Sequence, residues 1–383
     1  MTIFPSYYKK FKCRASECKN NCCIGWEIDI DGEALKKYQS LDSELGEKIR
    51  RNIKTEGGTT FFSMGEGCRC PMLDRNNLCE IISALGDEGL CEICREHPRF
   101  YFELSGVTLG GVGMSCEAAA ELILCENEPT LYGDILPLLD TEDEDYGCAS
   151  IICEALFDVE NILQSKTHSE REKIEKALLA IKAAEEKISN LIYGIEEAEE
   201  ASLANSGASA VNSDARGVNS GARAVNSGAE TVNICASEAN NSARAGNTLP
   251  AFEEPPRVQT LRKIIPELEF MKGELPEELG AARWADAFEC WSKSKVFRKA
   301  ILNATGYFAA RYLPKALGGE FSPYEFISSS LIILALLFAK KGGFLANEDE
   351  SKKIPEEAIR AAVLYSEEIE YCEENVERLS EMI

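Results

Sequence analysis

The chain has 383 residues, of which 45% are hydrophobic and 28% charged. It is therefore long enough for two or three domains, and its composition excludes disorder over the whole length. Its 41 Lys and Arg against 65 Asp and Glu give a net charge of −24, which argues against nucleic acid as a partner because an acidic chain repels phosphates.

The N-terminal residues have no apolar run long enough for a signal peptide, and Lys9, Lys10 and Lys12 make the segment polar. The longest uninterrupted apolar run, Leu331 to Ala339, has nine residues, whereas a membrane span needs about 20. We therefore expect a cytoplasmic protein with no membrane partner, whose thiols stay reduced.

Sixteen cysteines are the unusual feature, and thirteen of them lie in the first 153 residues. In a reducing compartment, such a concentration favours metal ions or clusters over disulfides. Thiolates are soft ligands for zinc, copper(I) and iron–sulfur clusters, and the pair Cys91-x2-Cys94 can bring two sulfurs to one ion. Single cysteines are also often buried as small hydrophobic residues.

Adjacent side chains of an extended chain point to opposite sides. One of Cys22 and Cys23 could therefore bind an ion while the other packs, or the two could serve two centres. Since one tetrahedral ion or four-iron cluster takes four ligands, nine or ten candidates imply either two sites or several cysteines that only pack.

Two further patterns limit the chemistry. Gly25 stands where a Cys-x3-Cys-x2-Cys motif would need a third cysteine after Cys18 and Cys22, so radical cleavage of a methyl donor is not predicted. A glycine-rich segment, Leu109 to Gly113, follows a predicted strand (Tyr101 to Leu109) and precedes a predicted helix (Cys116 to Cys125). Its glycine spacing is wrong for a dinucleotide loop and favours a tight turn that delivers Cys116.

The middle of the chain changes character. Ser169 to Ala201 is predicted as a long helix, within residues 161–202, because Ser169 and Glu172 form a capping box before apolar residues at helical spacing. Residues 203–256 contain a seven-residue repeat rich in Asn, Ser, Gly and Ala. It has too few large apolar residues to form a coiled-coil seam, so we predict a disordered linker.

Residues 257–383 are predicted to be all-helical, with prolines at or near the helix starts. The expected helices are Val296–Leu313, Phe321–Ala339 and a final amphipathic one, Ile354–Met382, with a heavily acidic face. The predicted fold class is therefore mainly α, with an irregular cysteine-rich module of little strand at residues 1–160 and a helical C-terminal region.

The cysteines belong to an ordered set of short segments. In chain order these are Phe11-x-Cys13, Cys18, Asn21-Cys22-Cys23-x-Gly25-Trp26-x-Ile28-x-Ile30-Asp31, Cys70-Pro71-Met72-Leu73-Asp74, Leu78-Cys79-Glu80-Ile81, Leu90-Cys91-Glu92-Ile93-Cys94, His97-Pro98-Arg99 and Ser115-Cys116-Glu117-Ala118-Ala119. From about Tyr7 to Leu124 this set resembles the flagellin lysine N-methylase family, whose members carry a cysteine-rich zinc- or iron-chelating module. His97, Glu117 and Ala118 are mild departures from the family pattern.

The resemblance implies methyl transfer from S-adenosylmethionine to surface lysines of flagellin, or of another lysine-rich protein surface. It also implies a cysteine-bound zinc or iron ion or an iron–sulfur cluster, and Cys68 lies outside the motif. The implied metal ligands are Cys13, Cys18, Cys22, Cys23, Cys70, Cys79, Cys91, Cys94 and Cys116. The sequence assigns no catalytic base and no donor-binding residue.

Two other classes remain open. One is a non-enzymatic zinc- or iron-binding or electron-transfer scaffold that uses the same cysteines, and the other is a redox sensor that uses Cys22 and Cys23. His97 could supply a nitrogen ligand beside Cys94, although the family pattern favours a structural aromatic role. For Arg99, a partner within the fold is favoured over one on a substrate.

Overall fold

The computed structural model describes residues 1–127, 130–207, 254–271, 273–341, 343–345 and 354–382. The predicted linker at 203–256 falls mostly outside these ranges. The described residues are mainly α-helical with little strand, which confirms the predicted fold class.

The cysteine-rich part is built from short elements. Asp31 begins the first helix because its side chain accepts hydrogen bonds from the backbone of Glu33 and Ala34, as an N-cap does. The elements are helices α1 (Gly32–Ser40) and α2 (Glu44–Arg51), a hairpin of β2 (Ile53–Glu56) and β3 (Thr59–Phe62), and helices α3 (Glu80–Leu85) and α4 (Glu92–Glu96).

A three-stranded sheet joins this part to the rest. Its order is β1-β5-β4, with β1 (Thr2–Ile3) parallel to β5 (Val107–Val112), and β4 (Arg99–Leu104) antiparallel to β5. The strand predicted over Tyr101–Leu109 is in fact a hairpin, because Ser105 and Gly106 take φ values of 42° and 80° and reverse the chain. The glycines at 110 and 111 are strand residues.

The remainder is helical. The helices are α5 (Glu117–Cys125), α6 (Tyr146–Gln164), α7 (Glu170–Gly207), α8 (Pro256–Ile264), α9 (Glu274–Ala281), α10 (Trp284–Lys293), α11 (Lys295–Tyr312), α12 (Pro323–Lys341), α13 (Glu356–Tyr365) and α14 (Glu373–Ser380). The predicted capping box begins α7, because the Ser169 backbone N–H donates to Glu172 and the Glu172 N–H donates to the Ser169 hydroxyl.

Helix α12 is the central helix of the core and packs against α7, α10, α11 and α13. By length and composition it is the one helix among the described residues that could cross a membrane, but 83% of its most apolar stretch is buried inside the protein. A helix that is apolar on all sides and covered by other helices is typical of a large protein core.

The buried apolar residues form two clusters. The smaller one lies within the cysteine-rich part, from Ile28 to Cys91. The larger one contains Tyr7 and runs from Leu104 to Met382, so it joins the sheet to the helical region. Residues 23–94 thus have a core of their own.

The helix predicted over Ile354–Met382 is interrupted. Helix α13 ends at Tyr365, one π-helical turn follows at Ser366–Glu370, and α14 starts at Glu373. Three acids that the predicted amphipathic helix would expose to solvent, Glu367, Glu368 and Glu370, are buried in the protein interior at this interruption. A π-helical turn is rare and frequently marks a functional position.

Candidate metal centre

Five of the nine predicted cysteines lie around the smaller hydrophobic cluster. Cys70 and Cys91 are buried members of it, and Cys23, Cys79 and Cys94 pack against it. We call these five the module group.

Backbone pairing brings the segments of the module group together. The Cys70 N–H donates to the Cys23 carbonyl over 2.9 Å, and Leu73 pairs with Cys79 across a short bridge. Cys79 and Cys91 each stand immediately before a helix, α3 and α4. The chain thus presents these thiols from turns and helix starts, as the Cys-x2-Cys spacing predicts.

The thiols of the module group interact with one another. The pKa of the Cys91 thiol is lowered because the Cys94 thiol donates a hydrogen bond to it. The same bond raises the pKa of Cys94, to which burial and the charges of Cys91, Cys23 and Cys70 add. Burial raises the pKa of Cys70 to about 11, with contributions from Cys79 and Cys91.

The other four cysteines lie where the cysteine-rich part meets the helical region. Cys13 and Cys18 flank a short turn, Cys22 follows in the next loop, and Cys116 directly precedes α5. We call Cys13, Cys18, Cys22 and Cys116 the interface group. Burial raises the pKa of Cys18 to about 12, and the charges of Cys116, Cys13 and Cys22 add to it.

A buried carboxylate fixes the geometry of the interface group. Glu117, which follows Cys116, accepts hydrogen bonds from the backbone N–H groups of Lys19 (2.9 Å) and Asn20 (3.1 Å). The loop between Cys18 and Cys22 is therefore tied to the start of α5.

The two groups meet at Cys22 and Cys23. The chain forms a turn there rather than an extended strand, so the two sulfurs approach each other instead of pointing apart. The Cys23 thiol donates a hydrogen bond to Cys22, which lowers the pKa of Cys22 and raises that of Cys23. All nine predicted cysteines therefore lie in two adjoining groups, whereas Cys68 is exposed and belongs to neither.

The donor chemistry of both groups is purely thiolate and suits zinc or iron–sulfur centres. A single tetrahedral zinc ion holds its sulfurs about 3.8 Å apart, since each Zn–S bond is about 2.3 Å. Among the residues that the structure describes, only Glu269, Cys372 and Glu374 form a set of three or more possible ligands with donor atoms within 4.8 Å of one another. The two cysteine groups fit a metal centre in chemistry, and pairs of their thiols are hydrogen-bonded, but no three of their sulfurs in the described part of the chain lie within 4.8 Å of one another.

His97 and Arg99 lie beside the cysteines but contact the fold itself. His97 is half-buried, its ring centroid lies 6.4 Å from that of Trp26 and 6.5 Å from that of Tyr371, and loss of solvent around the ring lowers its pKa to about 4. Arg99 donates to the Tyr8 hydroxyl over 3.1 Å and lies over the Phe11 ring.

Sequence reasoning missed a buried charged network next to the interface group. Arg311 on α11 lies 3.3 Å from Glu370 of the π-helical turn. Glu370 also accepts hydrogen bonds from the hydroxyls of Tyr307 (2.8 Å) and Tyr312 (3.0 Å). The Tyr307 hydroxyl in turn accepts from the Met114 N–H over 3.3 Å, two residues before Cys116. An arginine inside the apolar pattern of a helix was the only signal of this network in the sequence.

A cavity of about 490 Å³ opens beside the loop between Cys18 and Cys22. Its wall carries both charge signs, from Lys19, Lys341, Arg360, Glu274, Glu357 and Glu367. A second groove, of about 580 Å³, runs past Asp29, Asp31 and Glu92 next to Cys91 and is acidic. Both volumes lie in the range of small-molecule sites.

These features define a mainly α-helical protein with an ordered, convergent cysteine set, and the predicted resemblance to lysine N-methylases is confirmed by known proteins. The chain is 27% identical to the Lysine-N-methylase of Salmonella typhimurium over 132 residues, which are 33% of this chain and 32% of that protein. The Lysine-N-methylase of Salmonella choleraesuis gives the same identity and coverage. The Flagellar biosynthetic protein FliU of Salmonella muenchen is 26% identical over 137 residues, which are 34% of this chain and 80% of that protein.

The match spans about a third of the length of the two methylases. No family model and no solved structure matches the chain.

Proposed function

We propose that this protein is a cytoplasmic lysine N-methyltransferase that transfers a methyl group from S-adenosylmethionine to flagellin, with a metal or iron–sulfur centre held by its cysteines. Similarity to proteins named Lysine-N-methylase supports the reaction class. The observation that carries the proposal is the convergence of nine cysteines, from segments up to about a hundred residues apart, into two adjoining groups.

The reaction places defined demands on the chain. The lysine nitrogen attacks the methyl carbon, the carbon–sulfur bond breaks with its electrons going to sulfur, and the nitrogen loses a proton. Because an ordinary lysine has a pKa near 10.4, the enzyme must desolvate the amine or provide a base. A metal ion or cluster held by these cysteines would supply Lewis-acid chemistry.

The cavity beside the interface group suits the methyl donor. We assign the 490 Å³ cavity to the donor, because its mixed charges complement a ligand that carries an ammonium, a carboxylate and a sulfonium group. The target lysine must reach the methyl carbon directly, so we expect it to enter the same cavity, where Glu274 and Glu357 attract its cation.

The test is transfer of label from S-adenosylmethionine to unmodified flagellin by anaerobically purified, metal-loaded protein. We expect labelled lysine with the wild-type chain and with Cys68→Ser, whose thiol is exposed and outside both groups. Cys70→Ala should abolish the label. Metal-loaded protein that neither transfers label nor binds the donor would refute the proposal and favour the scaffold function.

A Glu367→Gln variant tests the donor site separately. The Glu367 carboxylate borders the cavity and accepts a hydrogen bond from Asn20 over 2.8 Å. Titration calorimetry should show weaker donor binding with an unchanged metal content, and unchanged donor affinity would refute the assignment of this cavity.

A further inference from the structure

The nine cysteines differ in what holds them in place. The module group surrounds the smaller hydrophobic cluster, and all residues of that cluster come from positions 23–94. No residue of that cluster belongs to the helical region.

The interface group depends on the helical region. Glu117 of α5 binds the backbone of Lys19 and Asn20. The Asn20 side chain donates to Glu367 of the π-helical turn over 2.8 Å. Ion pairs of Arg14 with Glu121 and of Lys19 with Glu356 also hold the chain between Cys13 and Cys22 against the helical region.

From this difference in support we propose that the thiols form two separate centres rather than one. The module centre is built by Cys23, Cys70, Cys79, Cys91 and Cys94. The interface centre is built by Cys13, Cys18, Cys22 and Cys116. Each group has at least the four thiolates that one tetrahedral ion or one four-iron cluster takes, and the peptide bond between Cys22 and Cys23 joins them.

The local structure at Cys22 and Cys23 assigns these two neighbouring residues to different centres. The carbonyl of Cys23 pairs with the N–H of Cys70, which assigns Cys23 to the module. Cys22 is exposed and stands outside the smaller cluster, and it closes the loop whose backbone is held by Glu117, the residue after Cys116. The interface centre also borders the 490 Å³ cavity through Lys19 and Asn20. The centre nearer to the proposed donor is therefore the one whose geometry the C-terminal helices control.

This inference rests on the proposed thiolate centre but not on methyl transfer, so it is tested by metal content alone. The full chain is loaded anaerobically with zinc, and in parallel with iron and sulfide, and the metal per chain is measured by mass spectrometry. The double variant Cys18→Ser/Cys116→Ala should lose about half of the bound metal, and Cys79→Ser/Cys94→Ser the other half. The quadruple variant should lose all of it, and Cys68→Ser none.

Loss of all metal in either double variant would show one shared centre and overturn the proposal, as would a double variant that loses none. Glu117→Ala is a second, independent variant that changes no thiol, so any loss of metal cannot come from a removed ligand. It removes the acceptor for Lys19 and Asn20 and should lower the metal content towards half. Far-UV circular dichroism checks that each variant is folded. An unchanged or abolished metal content in folded Glu117→Ala would count against a separate interface centre.

Discussion

The Arg311–Glu370 pair gives the sharpest prediction about stability. Glu370 has a fully buried side chain and Arg311 is 12% exposed, with 3.3 Å between them. At that distance, and with an effective dielectric constant of about 20, their attraction is about 5 kcal/mol. Glu370→Gln keeps the shape and an acceptor oxygen for the tyrosine hydroxyls but leaves the guanidinium without its counter-charge. Breaking a buried pair in this way typically costs about 3–5 kcal/mol.

Urea unfolding followed by circular dichroism measures the cost. The double variant Arg311→Met/Glu370→Gln should be less destabilised than the sum of the two single variants, because it leaves no unpaired charge. The control is Glu267→Gln, which breaks the exposed 2.7 Å pair with Arg378 and should cost at most about 1 kcal/mol. If Glu370→Gln were no more destabilising than Glu267→Gln, the buried pair would contribute no more to stability than an exposed one, contrary to this prediction.

Three other results are expected. Gly113→Ala should destabilise the protein by about 1–3 kcal/mol, because an added Cβ would lie 2.7 Å from the Arg311 guanidinium. The control is Gly280→Ala in α9, where the added Cβ meets open space, and this variant should be neutral or stabilising in the same urea unfolding assay. Asp31→Ala should lower the free energy of unfolding by about 1 kcal/mol, because it removes a helix cap. Backbone hydrogen bonds from Ala34 and Glu92 lower the pKa of Asp31. The stability that Asp31 contributes is thus present above its ordinary pKa and lost as the pH falls through its lowered pKa, which unfolding at a series of pH values would detect; a pH-independent difference from Asp31→Ala would contradict this. Cys13 and Cys68 are both exposed, so metal loading should protect Cys13 but not Cys68 from alkylation by iodoacetamide in peptide mapping, and equal labelling of the two would argue against Cys13 as a ligand.

The helices with a strong apolar pattern could be predicted from the sequence to within a few residues. Predicted Val296–Leu313 and Phe321–Ala339 correspond to α11 (Lys295–Tyr312) and α12 (Pro323–Lys341). Burial against several neighbours makes the pattern of such helices unambiguous. The hairpin turn at Ser105–Gly106 was missed because apolar residues continue on both sides of it.

The buried acids could not be predicted in this way. A run such as Glu367, Glu368 and Glu370 is typical of a solvated helix face, and only tertiary partners show otherwise. Those partners are the Asn20 side chain, the Met271 N–H and the tyrosines of α11. The grouping of the cysteines was likewise beyond spacing arguments, because it depends on how Glu117 and the smaller hydrophobic cluster fold around them.

X-ray absorption at the metal edge of the anaerobically purified full chain shows whether the cysteine thiolates hold a metal ion. Convergent thiolates predict a first coordination shell made of sulfur alone, at about 2.3 Å for zinc. A shell of nitrogen and oxygen atoms, or protein that retains no metal while its nine thiols react freely, would contradict it.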